Sequence, residues 1–343
     1  MKFLVLSVLT LVGSCATMRH SEKVEQLENS IIYEDKEAIE RFKSEIDIED
    51  LKMHLEEIAS EKYQGRMTGE PGHNAVCEYI RSYYDSLNVK APNLLPDYYQ
   101  KIPKADLPDN INDSQNIIAY IEGSLYPDEY VFITAHSDHE GVIDGEIYNG
   151  ADDNGSGTSA VLEMAEAFKK ATDEGYAPKR SIVFLHVTAE EIGLYGSRYY
   201  ANNPVFPLEN TVAALNTDMI GRVDPRHKNN PNYVYVIGAD RISTELDFIT
   251  KKANEEFVNL DLDYTYNDPN DVNRYYSRSD HYNFALKGIP VVFFFNGEHE
   301  DYTKPTDTAD KINFGLLKKR ADLIFVTAWY LANADERLKA ELL

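Results

Sequence analysis

The stretch Val131-Phe132-Ile133-Thr134-Ala135-His136-Ser137-Asp138 shows the pattern on which the fold of this chain rests. Its first five residues form a short apolar run, which predicts a buried strand, and the polar residues after it mark the end of that strand. The same pattern recurs at residues 117–121, 182–187, 212–215, 233–237 and 291–295. Near-continuous apolar strands are typical of a sheet that helices cover on both faces.

Helical patterns fill the segments between these runs. Residues 156–170 carry Val161, Leu162, Ala165 and Phe168 on one stripe, at the spacing of an amphipathic helix. Helices that alternate with strands indicate crossover connections, which join parallel strands. The sequence therefore predicts an α/β fold with a mostly parallel, mixed sheet and helices on both faces.

The 343 residues divide into three segments by composition. Residues 51–343 hold all the predicted strands and read as one large domain, which opens with a helix, a loop and a helix over residues 51–87. Residues 15–50 are rich in Glu, Lys, Asp and Ser, which predicts a solvated tether that ends in a helix. Residues 1–14, with Lys2 before an apolar run, are typical of a signal peptide.

The predicted signal peptide ends in Val12-Gly13-Ser14-Cys15, which resembles the lipobox of bacterial lipoproteins. That resemblance implies export to the bacterial cell envelope and a lipid on Cys15, which would hold the domain at a membrane surface, facing the periplasm or the cell exterior. The alternative is an ordinary cleaved signal peptide followed by an incidental cysteine.

Composition narrows the classes of partner and site. The formal net charge of -24 argues against a nucleic-acid partner, because binding phosphates requires Lys and Arg. The two cysteines, Cys15 and Cys77, allow neither a disulfide framework nor a thiolate zinc site. Any metal must therefore bind to His, Asp and Glu, a ligand set that suits zinc, manganese or cobalt. The sequence makes no prediction of the oligomeric state.

Acidic residues and one histidine follow the predicted strands, where ligands bind in doubly wound sheets. His136 follows the strand at 131–135, Glu190 and Glu191 follow the strand at 182–187, and Asp218 follows the strand at 212–215. Asp153 precedes the helix at 156–170. Taken alone, such an element is more often structural, as a buried histidine, a helix cap or a turn. Their convergence favours a cation site, because clustered carboxylates repel one another unless a cation neutralises them.

The requirements of a two-metal hydrolase match this set. Such a site needs a bridging carboxylate, terminal His or carboxylate ligands, and a free carboxylate that takes a proton from water. Because adjacent residues on an extended chain point in opposite directions, Glu190 and Glu191 are expected to divide metal binding and proton transfer. Asp138 is expected to hold the second ring nitrogen of His136.

At these residues the sequence resembles the zinc exopeptidases of the bacterial leucyl aminopeptidase family, clan MH. The matching motifs are His136-Ser137-Asp138, Asp153-Asn154-Gly155-Ser156-Gly157, Glu190-Glu191-Ile192-Gly193 and Asn216-Thr217-Asp218-Met219-Ile220-Gly221. The resemblance extends from about Leu51 to the C-terminus. It implies a phosphorylase/hydrolase-like fold, peptide substrates and two zinc ions.

The resemblance also implies a role for each matching residue. His136 and Asp218 would be terminal ligands of one zinc ion. Asp153 would bridge both ions, Glu191 would bind the second, and Glu190 would be the general base. Asp138 would orient the imidazole from behind.

The motif Ser279-Asp280-His281 before the last strand also matches the family. Arg278 beside it either contacts substrate or forms a surface ion pair.

The chain departs from the family where the fifth zinc ligand is expected. The family has Tyr-His followed by Asp-Thr, whereas this chain has Tyr302-Thr303 in that place. A threonine hydroxyl is a poor zinc ligand beside imidazole. Three alternatives follow: His299 in the same loop replaces the missing ligand, the second site is weak, or the enzyme uses one metal.

The leading functional hypothesis is therefore a metallo-aminopeptidase. The second hypothesis is a single-zinc enzyme that cyclises N-terminal glutamine on the same fold. The third is a binding lipoprotein without catalysis, which the loss of a ligand histidine favours and the presence of Glu190 opposes.

Overall fold

A computed structural model describes residues 20–342 of the chain. The predicted signal peptide and the lipobox cysteine, Cys15, lie outside the described residues. Within the described part, none of the helices has both the length and the apolar character that crossing a bilayer requires.

The strands form one large sheet and a separate hairpin. Their bounds are β1 Tyr99–Ile102, β2 Ser114–Ile121, β3 Tyr126–His136, β4 Gly141–Ile143, β5 Glu146–Tyr148, β6 Arg180–Val187, β7 Thr211–Thr217, β8 Tyr233–Ile237, β9 Asp261–Asp263 and β10 Val291–Phe295. In residues 20–342 the large sheet has eight strands in the order β1-β2-β6-β3-β7-β10-β8-β9, and β4 pairs with β5. All six apolar runs of the sequence fall within strands of the large sheet.

The centre of the sheet is parallel. Strands β6, β3, β7 and β10 run in one direction, whereas β1 and β2 are antiparallel to their neighbours and β8 is antiparallel to β10. Alternate residues of these strands pack against opposite faces: Ile133 faces the larger core and Phe132 faces the smaller one. The predicted α/β fold with a mostly parallel, mixed sheet covered on both faces is confirmed.

Helices cover the sheet. Their bounds are α1 20–30, α2 Lys36–Lys43, α3 Ile48–Ile58, α4 Pro71–Ser86, α5 Gly157–Asp173, α6 Tyr195–Asn202, α7 Ala239–Ile242, α8 Thr244–Phe257, α9 His281–Ala285 and α10 Phe314–Asn333. Several of these helices begin at a residue that favours a helix N-terminus. The Asp47 side chain accepts a hydrogen bond from the Glu49 amide at the start of α3, Pro71 occupies the first turn of α4, and Asn313 caps α10.

The solvated tether expected up to residue 50 is shorter in the structure. Residues 31–46 contribute buried side chains to the larger core, among them Ile31, Ile39, Phe42 and Ile46. Phe42 stacks on Trp329 of α10 with ring centroids 5.9 Å apart. Three or four apolar residues on one face of a charged segment are enough to dock a short helix, and the overall composition conceals them.

Candidate metal centre

His136, Asp153 and Asp218 converge at the carboxyl edge of the parallel strands. His136 ends β3, and its Nε2 lies 3.3 Å from Asp153 Oδ1 and 3.2 Å from Asp218 Oδ1. All three residues are buried. Their ligand atoms lie within 4.8 Å of one another, a spacing at which a single ion can contact all three.

Hydrogen bonds to neighbouring segments fix the loop that carries Asp153, and they explain the residues of its motif. Ala151–Ser156 form an irregular turn before α5, with non-helical backbone angles at Asp153 and Asn154, and the Asp307 carboxylate accepts hydrogen bonds from the amides of Asp152 and Asp153, at 2.9 and 3.2 Å. The Asn154 side chain donates to the Thr217 carbonyl and accepts from the Gly157 amide, both at 2.9 Å. This residue therefore ties the start of α5 to the end of β7.

Gly157 is required by close packing at the same point. A Cβ atom on this residue would lie 2.3 Å from Asn154 Oδ1 and 2.6 Å from the Thr217 carbonyl oxygen. A side chain at this position would push α5 away from the sheet and displace the loop that carries Asp153.

Glu190 and Glu191 do not point in opposite directions. Ala189, directly after β6, has a φ of 58°, so the backbone turns instead of remaining extended. The carboxylates of both glutamates lie with His136 in a second group whose ligand atoms are within 4.8 Å of one another. The expectation based on extended geometry is therefore wrong, and both carboxylates face the same small volume.

Asp138 supports the site in a different way from the one predicted. The nearest acceptor to His136 Nδ1 is the backbone oxygen of Asp138, at 3.2 Å, whereas the carboxylate oxygen is 3.7 Å away. That carboxylate accepts hydrogen bonds from the Thr68 hydroxyl at 2.9 Å and from the Glu190 amide at 3.2 Å. Asp138 thus orients the imidazole through its backbone and holds the Glu190 turn through its side chain.

The electrostatics of this group favour a cation. Burial raises the pKa of Asp153 to about 6 and that of Glu191 to about 8, and the neighbouring negative charges add to both shifts. Burial also raises the pKa of Glu190 well above its ordinary value. The pKa of His136 would be lowered by burial, but Asp218 and Glu190 raise it well above its ordinary value. Without metal, the site must take up protons to offset its negative charge.

A second histidine in this group was not identified from the sequence. His139 Nδ1 lies 2.5 Å from Glu191 Oε1, and His139, Asp153 and Glu191 form a third set of ligand atoms within 4.8 Å of one another. Burial lowers the pKa of His139 below its ordinary value, which favours the neutral ring. His139 directly follows the motif His136-Ser137-Asp138, and that position was the available signal.

His299 and Thr303, the two residues of the loop where a fifth ligand was expected, lie outside the candidate metal-binding groups of the described residues. His299 Nε2 is 3.1 Å from Asp152 Oδ2, and Asp152 in turn accepts a hydrogen bond from the Gly221 amide. Among residues 20–342, His299 belongs to none of the three candidate metal-binding groups. Thr303 is exposed. The structure therefore pairs His299 with Asp152, the residue before Asp153.

Arg66, a buried residue that the sequence did not single out, ties these loops together. Its guanidinium donates to the backbone carbonyls of Ile58, Ser137, Asn149, Gly150 and Asp153. Burial lowers the pKa of Arg66 to about 10, so the group remains charged at neutral pH. The charged guanidinium of Arg66 thus anchors both the loop after β3 and the loop before α5.

Replacing Arg66 with methionine is expected to destabilise the protein by about 3 to 5 kcal/mol, because several buried carbonyls lose a charged donor at once. Urea unfolding measures the change. Arg198→Met is the matched control, since this arginine is exposed and is expected to change stability by less than about 0.5 kcal/mol. Equal stability of the Arg66 variant and the wild type would show that the guanidinium is not a structural anchor.

A small cavity opens beside the acidic group. Its other walls are Met219, Tyr275, Phe293, Phe295 and Tyr302, with Arg278 and Glu298 at the rim. The Arg278 side chain contacts two other residues of the rim and wall. Its Nη1 lies 3.1 Å from Glu298 Oε1, and its Nη2 lies 3.3 Å from the Tyr302 hydroxyl.

The motif before the last strand lies against the same site. Ser279 donates a 2.6 Å hydrogen bond to Asp218 Oδ2, and Asp280 accepts a 2.5 Å bond from Ser197. His281 stacks on Phe293 with centroids 4.8 Å apart.

The donor set fits a metal ion. Imidazole nitrogens and carboxylate oxygens are the ligands of zinc sites that retain an open position, and two of the three groups share Asp153. A buried cluster of this kind at the carboxyl edge of a doubly wound sheet defines the class of metal-dependent hydrolases.

Comparison with known proteins identifies the family. Residues 116–328 match peptidase family M28, and the chain belongs to that family. It is 30% identical over 271 residues to leupeptin-inactivating enzyme 1 of Streptomyces exfoliatus, covering 78% of this chain and 53% of the relative. It is 28% identical over 235 residues to aminopeptidase YwaD of Bacillus subtilis, covering 66% of this chain and 46% of the relative. The chain thus spans about half the length of these curated relatives.

The structure of the Legionella pneumophila aminopeptidase LapA shares the fold. The TM-score is 0.67 at 19% sequence identity, and the match covers 92% of this chain and 78% of LapA.

Proposed function

We propose that this protein is a metal-dependent aminopeptidase that removes single residues from the free N-termini of peptides. The observation that carries the proposal is the convergence of His136, Asp153 and Asp218 around one point, with the Glu190 carboxylate beside it. Membership of family M28 and the similarity to aminopeptidase YwaD support it.

Each residue has a definite part in the proposed reaction. His136, Asp153 and Asp218 would hold a metal ion, with zinc favoured by imidazole and carboxylate ligands and manganese or cobalt also compatible. The chemistry such an ion would supply is polarisation of the peptide carbonyl and a more acidic water molecule. Asp138 keeps His136 oriented and holds the turn that carries Glu190.

Glu190 moves the proton. Its carboxylate accepts a proton from the attacking water, whose oxygen forms a bond to the carbonyl carbon. When the carbon–nitrogen bond breaks, Glu190 returns that proton to the departing amine. Burial raises the pKa of Glu190, which makes it a stronger base than an exposed glutamate.

The cavity supports an exopeptidase acting on an apolar N-terminal residue. Tyr275, Phe293, Phe295 and Tyr302 line it beside the acidic group and offer contacts to an apolar side chain. The carboxylates at its base attract the positive charge of a free α-amino group.

The test is hydrolysis of aminoacyl amides by the full chain after incubation with zinc. Cleavage of leucyl and phenylalanyl amides is expected, with activity lost when the α-amino group is acetylated. Pyroglutamate formation from glutaminyl peptides without hydrolysis would replace the proposal by the cyclase hypothesis. A zinc-loaded protein inert toward both kinds of substrate would favour a non-catalytic binding protein.

A further inference from the structure

Two of the candidate metal-binding groups share one carboxylate. His136, Asp153 and Asp218 form the first group, and His139, Asp153 and Glu191 form the second. A carboxylate between two sets of terminal ligands is the arrangement that a two-metal site requires. The second group has its own imidazole, which comes from the loop after β3 and not from the loop that contains Thr303.

We propose that His139 is the imidazole ligand of a second metal ion, bound together with Asp153 and Glu191. This inference rests on the proposed function for the first ion and adds a ligand that replaces the histidine missing at Thr303. The protein would then hold two ions, with Asp153 available to both because it belongs to both ligand groups.

The local structure places the ring of His139 for this role. The residue is fully buried, and its amide donates a 3.2 Å hydrogen bond to the Arg66 carbonyl, which fixes the backbone. The backbone of Gly150 packs closely against the ring. A Cβ atom on Gly150 would lie 2.5 Å from two carbons of the His139 ring and 2.2 Å from the Asp153 carbonyl oxygen. The absence of a side chain at Gly150 lets the imidazole and the Asp153 loop lie side by side.

The direction of the ring is also informative. Nδ1 faces Glu191 Oε1 at 2.5 Å, with Asp153 in the same group. Within residues 20–342 the other ring nitrogen, Nε2, is buried and has no hydrogen-bond partner. Nδ1 is therefore the ring nitrogen that faces the two carboxylates of the group.

The two other residues considered for this ligand are less suited to it. His299 Nε2 lies 3.1 Å from Asp152 Oδ2, and His299 is in none of the candidate metal-binding groups of residues 20–342. Thr303 is exposed and offers only a neutral hydroxyl. Glu191 belongs to two candidate groups. One of them contains His136, and the other contains His139.

The test is metal content by mass spectrometry of the zinc-saturated full chain after removal of free metal. We expect about two zinc ions per wild-type chain and about one in His139→Ala. His139→Asn is the second variant, because its amide can still donate to Glu191 and so preserves the fold; about one zinc ion is expected there too. His227→Ala, at a buried histidine paired with Asp224 outside the site, is the control and should keep about two ions.

Three results would overturn the proposal: about one zinc ion in the wild type, two ions retained in His139→Asn, or loss of the second ion in His299→Ala but not in the His139 variants. Metal counting separates this inference from the proposed function. Two ions in the wild type and one in the His139 variants, without any peptidase activity, would leave the ligand assignment standing and remove the aminopeptidase. Activity with one ion in the wild type would do the reverse.

Discussion

The Glu190→Gln variant is expected to lose about 10²- to 10⁴-fold in kcat toward aminoacyl amides while keeping its metal. Glutamine has nearly the same shape as glutamate but cannot accept the proton from water. The Glu190 side chain lies beside His136 and is not a member of the groups built around Asp153, so the ligand set remains intact. Steady-state kinetics and metal content, measured on the same preparation, check both parts of the expectation.

Glu146→Gln is the matched control for this variant. Glu146 is an exposed residue of β5, and its loss is expected to leave kcat unchanged. Full activity of Glu190→Gln would remove this residue from the mechanism. Loss of metal from the same variant would make Glu190 a ligand and require a different base.

Removal of the metal is expected to abolish activity and to make stability depend on pH. The fold raises the pKa of Asp153 to about 6 and that of Glu191 to about 8, mainly by burial, so the folded state favours their protonated forms. Their contribution to stability is full below about pH 4 and is lost as the pH rises through those two values. A bound cation replaces the protons, so the loaded protein escapes this loss.

Thermal unfolding of chelated and zinc-loaded protein at pH 5 and pH 8 measures the effect. The Tm of the chelated protein is expected to fall by at least about 5 °C between these pH values, relative to the loaded protein. Chelated Glu191→Gln should show a smaller fall, because one of the two groups no longer titrates. Parallel behaviour of the chelated and loaded proteins would mean that no cation occupies the carboxylate cluster. Added zinc should restore activity.

The fold was predictable because the central strands are buried on both faces. The runs at 233–237 and 291–295 coincide with β8 and β10. Strands β1 and β9 escaped prediction, because both are short and lie at the sheet edges; β1 alternates in burial, and none of the three residues of β9 is buried. The residues that the motifs selected, His136, Asp153, Glu190, Glu191 and Asp218, are brought together by the structure. Their roles stay predictions.

Two features of the site depend on tertiary structure. Arginine is seldom fully buried, so nothing in the local pattern marks Arg66 as the anchor of two loops. His139 directly follows the first motif, but its contact with Glu191 depends on the turn at Ala189. Reasoning from strand geometry alone predicted that the two glutamates point in opposite directions, and a local pattern could not show which histidine faces Glu191.

The candidate metal ligands come from four separate stretches of chain, at the ends of β3, β6 and β7 and in the loop before α5. They are brought together by sheet pairings between strands that are distant in sequence, and such pairings form slowly during folding. An unfolded or half-assembled chain therefore has no high-affinity site, in contrast to small zinc domains that metal itself organises. In a refolding reaction, zinc would bind last, and the amount of bound zinc would report how many molecules have a fully formed sheet.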